Sequence, residues 1–458
     1  MFEWNTNNIV DATGGRKIDG CHWAHSSNIS TDTRNIKEGD LFIALKGENF
    51  DGHDFLHEAF LKGAAAAVVS EDKYKNLPLI VVQDTLKALH DMTSYYIRNV
   101  LVNAKVIAIT GSVGKSTTKE MLYTVLSQYG VSHVNDGNFN NNIGLPLTVL
   151  KAPENCQYLI LEMGMNRAGE IKKLSAISSP DIAVITNIEP AHIGNFSSLF
   201  DIAQAKLEVL HGLKSNGTLI LNGDSEYYDY LSSHAGRNVI SFGRNESTTV
   251  CLLNVIGNDK GLSSKIRLNN GQIVNCNLCV RGEHFAYSLL AVAAVVENLG
   301  LDLSKLPPAL ENFSVMKGRG NIHKVKYKEK YIYLIDDSYN ASPASMKAAI
   351  RTLGTYSNQR KVALLGDMLE LGNESTVFHT ELFDFIVGHN VDKVYTVGKF
   401  MLELYRLLPG NIKGTHFNDS NQLKYNLTNI VQNNDIVLVK GSRGMRMDRV
   451  VQEFIIEY

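Results

Sequence analysis

The chain carries almost no net charge, with 45 Lys and Arg against 47 Asp and Glu in 458 residues. That balance excludes the broad basic surface that tracks nucleic acid, and no interleaved aromatic and basic stripe is present. No nucleic-acid partner is expected, and small molecules are. Long apolar runs are missing too. The longest, Leu289 to Val296, is far too short to span a bilayer, and the opening MFEWNTNNIVDATGG has neither a basic nor an apolar targeting region. A soluble cytoplasmic protein without stable membrane insertion is expected. Cysteine is scarce: five residues, an odd number, argue against a disulfide framework and fit a reducing compartment. Cys276-Asn-Leu-Cys279 is a single CxxC with no second pair. CHWAH offers Cys21, His22 and His25 without further ligands at useful spacing, so both read as strand or surface residues rather than zinc sites. Repeats and low-complexity tracts are absent.

What is present begins at residues 105–120, KVIAITGSVGKSTTKE. A β-branched run ends in Thr110, Gly111 and Gly114 punctuate a turn, and Lys115-Ser116-Thr117 open a helical stretch. This is the pattern of a phosphate-binding loop: backbone N–H groups close around phosphate oxygens, Lys115 neutralises charge and the Ser116 hydroxyl can hold Mg²⁺. The chain is expected to bind ATP. Position 109 is Ile, so the first glycine sits only three residues before Gly114, and this shortened loop points to amide-forming ligases rather than kinases or GTPases. An ordinary glycine-rich turn before a helix is the competing reading, disfavoured by the order of strand, loop, Lys and Ser.

The length suits about three domains. From 105 to about 300, apolar strands at 106–110, 158–162, 182–186 and 218–222 alternate with helices at 116–129, 201–213 and 284–299, the second capped by Asp201. Such alternation implies a mostly parallel sheet. A second open sheet is expected from runs at 331–336, 361–366, 393–398 and 435–442, with a helix near 343–353. The N-terminal region adds strands at 40–45 and 65–70 around a helix at 54–62. The resulting α/β architecture has three domains, 1–84, 85–315 and 316–458, with linkers near 84–104 and 312–320. Glu162 ends its strand where a parallel sheet presents metal ligands, and His192 follows the next strand. A solvated strand-end acid and a structural histidine are the plain alternatives.

Taken together, the segments STDTRNIKEGDLFIALKGENFDGHDF, TGSVGKSTTKEML, NDGNFNNNIGLPLTVL, LEMGMNRAGEI, TNIEPAHIGNF, AKLE, IDDSYNASPASMKAAI, LGDMLELG and VKGSRGMRMDRVV resemble the Mur ligase family over all three regions. IDDSYNASPASM and LGDMLELG are most similar to the member that adds a dipeptide, and the DNPR motif usual in the diaminopimelate-adding sibling is absent. The resemblance implies a small N-terminal α/β domain for the UDP-sugar peptide, a central P-loop ATPase-like domain and a C-terminal Rossmann-like domain that serves dipeptide binding and nucleotide closure. It implies a bacterial, monomeric ligase of peptidoglycan precursor synthesis, with ATP, UDP-N-acetylmuramoyl-tripeptide and D-alanyl-D-alanine as substrates and an acyl phosphate as intermediate.

By the same resemblance, Gly111, Ser112, Val113, Gly114, Lys115, Ser116 and Thr117 wrap the phosphates. Ser116 and Glu162 hold a first Mg²⁺, and His192 with Glu162 a second. Lys206 matches a position that is carbamylated in many members, where the carbamate ligates metal. Lys115, Lys206 and His192 form the catalytic set. Arg319, Asp337 and Asn340 face the nucleotide. Thr33, Arg34 and Lys46, with Asp51 and His53 nearby, match the UDP end; Asn138, Asn141 and Asn142 lie near the P-loop or the muramoyl peptide; Lys440 and Arg443 suit a carboxylate or phosphate. One departure is Ser288, which stands where an adenine-reading asparagine is usual. His379 is a candidate base for the incoming amine, with a helix-face role as the plainer reading. The remaining rivals are another Mur-type ligase, third-residue-adding or folylpolyglutamate-like, and a non-catalytic ATP-binding regulator. Substrates on separate domains must meet, so an open free form and a closed ternary complex are expected. Small-angle scattering should show contraction when all ligands are added; an unchanged profile would refute it.

Overall fold

A computed structural model of the chain describes residues 2–18, 23, 25, 26, 28–71, 76–258 and 261–456. Cys21 and His22 lie outside the described residues. The chain forms two compact units, one comprising 1–110, 129–184 and 207–219, the other 111–128, 185–206 and 220–458.

The first unit contains a five-stranded sheet in the order Arg16–Lys17, Leu79–Val81, Ala66–Val69, Leu41–Ile43, Ile29–Ser30. Its first pair is antiparallel and the rest are parallel. Phe42, Ala67 and Val69 bury one face against Leu56 and Ala59 of the helix Leu56–Leu61, which follows a 3-10 turn at Gly52–Phe55. The same unit holds the strands Ile182–Ile185, Lys105–Thr110, Tyr158–Glu162 and Ser132–Val134, in that order. Their near-continuous apolar runs are what burial on both faces requires. Parallel pairing sets Ile109 opposite Glu162, so this carboxylate stands at the strand edge from which the glycine loop departs.

The stretch expected as a linker at 84–104 is instead a helix, Thr85–Asn99, capped by the Asp84 carboxylate on the N–H groups of Leu86 and Lys87. Ala88, Leu89, Met92, Tyr96 and Ile97 recur at helical spacing and are buried. Asp201 does not cap its helix. That helix runs Leu199–Leu207, which puts Asp201 in the first turn, where it accepts from the Ser197 N–H.

In the second unit the strands Asn238–Gly243, Val250–Asn258, Gly261–Arg267 and Ile273–Leu278 form a ribbon whose last two pairings are antiparallel. A six-stranded sheet follows in the order Asn321–Tyr327, Lys330–Asp337, Ile436–Lys440, Lys361–Gly366, Lys393–Val397, Lys413–Phe417. Only the first pair is antiparallel. Alternating residues feed two cores: Ile436 and Leu438 join Met346, Ile350 and Leu382 on one face, while Val437 and Val439 join Leu423, Val450 and Phe454 on the other. Helices on both faces of an open parallel sheet give a Rossmann-like layering. Among the described residues, no helix is long and apolar enough to cross a membrane.

Leu438 is fully buried in a central strand. Leu438→Ala should cost about 2–5 kcal/mol and raise amide exchange across 436–440 and 343–354, leaving 105–110 unchanged; unaltered exchange at 436–440 would count against this core assignment.

Candidate active site

The glycine loop is held by the segment that follows the strand Ile182–Ile185. Ser112 N–H donates to the Asn187 carbonyl at 3.0 Å, its hydroxyl to the Glu189 carbonyl at 2.8 Å, and the Val113 N–H to the Asn187 side chain at 3.0 Å. The Thr186 hydroxyl closes on the Val113 carbonyl at 2.6 Å. Gly111 has a φ of 145°, and a Cβ there would fall 1.9 Å from the Thr186 hydroxyl oxygen, so only glycine fits. Gly114, in the left-handed region, caps the helix Lys115–Leu126. That helix places Ser116, buried, in its first turn, where the helix dipole favours anions. Val113 and Thr117 flank the same turn. Lys115 donates from Nζ to the carbonyls of Gly111 and Ser112 at 2.8 and 3.1 Å.

Lys206 sits in the last turn of Leu199–Leu207 and is 4% exposed. Burial, helped by the Lys115 charge, holds its ammonium well below the usual lysine range. His192 occupies a left-handed position before the turn Ile193–Asn195, and its Nδ1 bonds the Glu370 carboxylate. Burial and the charges of Lys115 and Lys206 lower its pKa, with Glu370 opposing. Lys115, Ser116, His192 and Lys206 thus belong to one compact unit.

Glu162 belongs to the other unit and is 3% exposed. Asn135 pairs with its backbone through both amide groups, at 2.7 and 3.1 Å, and Asn140 donates to its Oε1 at 2.9 Å. Asn140 is the asparagine of GNFNNN that reaches this carboxylate. Asn138 is exposed, Asn141 caps the N–H of Gly144, and the Asn142 carbonyl bonds His90. Spacing alone could not choose among neighbours in a turn.

The C-terminal sheet assembles a further cluster. Lys440, buried, donates from Nζ to Asp337 Oδ2 at 2.7 Å and to the Asn340 carbonyl at 3.0 Å, while the Arg443 N–H reaches the Asn340 side chain at 3.4 Å. Burial raises the Asp337 carboxyl, and Lys440 partly offsets it. Arg319 and Arg443 lie over the Tyr339 ring at 4.3 and 5.5 Å. The Arg319 Nε is buried and makes no hydrogen bond among the described residues, a donor suited to an anionic ligand. Ser288, in contrast, is buried and accepts from the Thr118 hydroxyl at 3.1 Å, tying the helix His284–Asn298 to the loop helix.

In the N-terminal region, in a 3-10 turn at Thr33–Asn35, Thr33 is buried and Arg34 is exposed in a bidentate pair with Asp32. Lys46 lies 3.4 Å from Asp51, whose carboxyl is pushed down by the backbone and side chain of His53. His53 in turn accepts from the Ser70 N–H at 2.9 Å.

Three family models match in succession: the Mur ligase family catalytic domain over 25–108, the Mur ligase middle domain over 109–296, and the Mur ligase glutamate ligase domain over 319–443. The UDP-N-acetylmuramoyl-tripeptide–D-alanyl-D-alanine ligase of Buchnera aphidicola is 38% identical, covering 94% of this chain and 93% of the relative. A crystal structure of MurF from Acinetobacter baumannii superposes with a TM-score of 0.92 at 30% identity, covering 100% of this chain and 99% of its own. MurF ligase from Thermotoga maritima in complex with ADP gives 0.83 at 28% identity, covering 94% and 97%. The three-domain α/β fold is that of these structures.

His379 is fully buried, with Nδ1 donating to the Ser375 carbonyl at 2.6 Å and Nε2 accepting from the Met368 N–H at 2.9 Å. Neither nitrogen is left for a proton-transfer step, and the candidate base is a structural histidine. Burial lowers its pKa. The unfolded chain therefore takes up the proton first, and stability should fall as pH drops below about 6.5. In His379→Gln, whose amide can make both bonds at any pH, denaturant midpoints between pH 7 and 5 should fall less steeply; an unchanged slope would sink this account.

Proposed function

The chain belongs to the Mur ligase family, and on that premise we propose that it joins D-alanyl-D-alanine to UDP-N-acetylmuramoyl-tripeptide at the expense of ATP, in peptidoglycan precursor synthesis in the bacterial cytoplasm, acting as a monomer. The observation that carries the reading is the grouping of Lys115, His192 and the buried Lys206, whose ammonium is held well below the usual lysine range, in one unit with the glycine loop.

The terminal carboxylate of the tripeptide attacks the γ-phosphorus, breaking its bond to the bridging oxygen and releasing ADP. The dipeptide amine then adds to the acyl carbon, phosphate leaves, and the amine loses a proton. Alignment and charge neutralisation supply most of the acceleration in such transfers. The loop from Gly111 to Thr117 cradles the phosphates. Lys115, now bonded to loop carbonyls, turns to the transferring group. Arg319 brings its buried unpaired donor to the nucleotide, and Asp337 and Asn340 line the nucleoside side.

The donor types suit Mg²⁺: in the second unit a buried hydroxyl at Ser116 and an imidazole at His192 whose Nδ1 is already engaged, and in the first unit a buried carboxylate at Glu162 oriented by Asn135 and Asn140. Mg²⁺ held by these residues would neutralise phosphate charge. Lys206 completes the set as a carbamate: its neutral nitrogen adds to CO₂ and gives up a proton, turning a would-be cation into an oxygen anion. Thr33, Arg34, Lys46 and Asn138 serve the UDP-sugar peptide. Lys440 and Arg443 serve the acyl phosphate or dipeptide carboxylate, Lys440 exchanging part of its contact with Asp337.

Phosphate release with ATP, Mg²⁺ and the UDP-linked tripeptide should depend on D-alanyl-D-alanine, with a matching mass gain on the precursor. Release without dipeptide dependence, for both lysine and diaminopimelate precursors, would overturn the assignment. Lys115→Ala should abolish turnover while precursor binding persists. Lys206→Ala should lose turnover that short-chain acids restore in part; full activity in that variant would remove the carbamate.

A further inference from the structure

The turn Ile193–Asn195, led by His192, lies against the loop that carries Glu370 and Gly372, both within the second unit. The Gly194 N–H donates to the Glu370 carbonyl at 2.9 Å. A Cβ on Gly194 would fall 2.8 Å from the Gly372 nitrogen, and one on Gly372 would fall 2.9 Å from the Gly194 Cα. The contact is backbone on backbone, which only glycine on each side permits. Ile193 meanwhile packs against the cluster that includes Met368, Leu371 and Leu382. At the centre of this junction, His192 Nδ1 bonds the Glu370 carboxylate.

His192 and Glu370 both hold left-handed backbone, with φ of 58° and 64°. Side chains with a Cβ adopt that conformation only when their surroundings demand it. The carboxylate is more than half exposed, so its burial gains little. What the arrangement does accomplish is to commit Nδ1 of the imidazole to a donor role, leaving the lone pair on Nε2. Carboxylates that hold a metal-binding histidine in this way fix both its tautomer and its orientation.

We infer that Glu370 is a positioning residue for His192, and that the 370–372 loop seated on the 192–195 turn holds the imidazole in its cation-binding orientation. The inference rests on the proposed reading of His192 as a metal ligand. It ties the metal site of the nucleotide-binding region to the seating of the C-terminal sheet's own loop, so that ligand geometry is complete only when that loop is in place.

The test uses the full-length protein with ADP and Mn²⁺, free Mn²⁺ being followed by electron paramagnetic resonance, and compares Glu370→Ala, Glu370→Gln and His192→Ala with the wild type. Glu370→Ala should weaken Mn²⁺ binding roughly 10–100-fold. Glu370→Gln, whose carbonyl still accepts from Nδ1, should lose much less. Nitrogen-15 spectra of the metal-free protein should show His192 protonated at Nδ1 in the wild type and in Glu370→Gln, and a mixture of tautomers in Glu370→Ala. Weakened binding in His192→Ala with wild-type binding and tautomer in Glu370→Ala would overturn the positioning role alone. Unchanged Mn²⁺ affinity in His192→Ala would overturn the ligand reading, and the positioning role with it.

Discussion

Gly111 has no room for a side chain, and the conformation of the glycine loop depends on that constraint. Because a Cβ would collide with the Thr186 hydroxyl, the loop can lie flat on residues 186–189 and exchange hydrogen bonds with them through Ser112 and Val113. A loop that bound phosphate only through its own glycines would have to order itself at each encounter, at a cost in backbone entropy. Here the segment TNIE has already met that cost. The same segment leads straight into His192, so one stretch of chain both shapes the cradle and delivers a candidate metal ligand.

Much of this was legible in the residues. Strands buried on both faces announce themselves as unbroken apolar runs, so Tyr158–Glu162, Lys361–Gly366 and Ile182–Ile185 fall where the runs lie. The ribbon strands were not. Ile273–Leu278 alternates exposed and buried residues in IVNCNL, with asparagines at two of its three outward positions, and carries too little apolar signal to separate from loop. The helix Thr85–Asn99 is a different case. Its cap at Asp84 and its buried positions at three- and four-residue spacing were on the page, outweighed by the polar residues of the opposite face.

The site shows the same division. Lys115, Ser116, Glu162 and Lys206 are singled out by motif, and Ser116, Glu162 and Lys206 are buried. Asn140 and Glu370 escaped because their roles are relational. Nothing in GNFNNN says which asparagine turns toward a carboxylate over twenty residues on, and nothing in LGDMLELG says which acid meets a histidine from another segment. Ser288 illustrates the converse: a residue read as a defective ligand is a packing hydroxyl between two helices.

The two charged clusters of the second unit differ in how they balance. Asp337 and Lys440 pair with one another at the end of the C-terminal sheet, each charge offset by its partner. Around His192 the charges oppose one another, Lys115 and Lys206 lowering its pKa and Glu370 raising it. Cations crowded in a partly buried space relieve their repulsion by losing protons, and the group with least access to water yields first. That group is Lys206. Its lowered pKa is thus a consequence of burying a helix-end lysine within reach of the Lys115 charge. The proposed carbamate would reverse the sign at that position, turning a cation that burial disfavours into an anion beside Lys115.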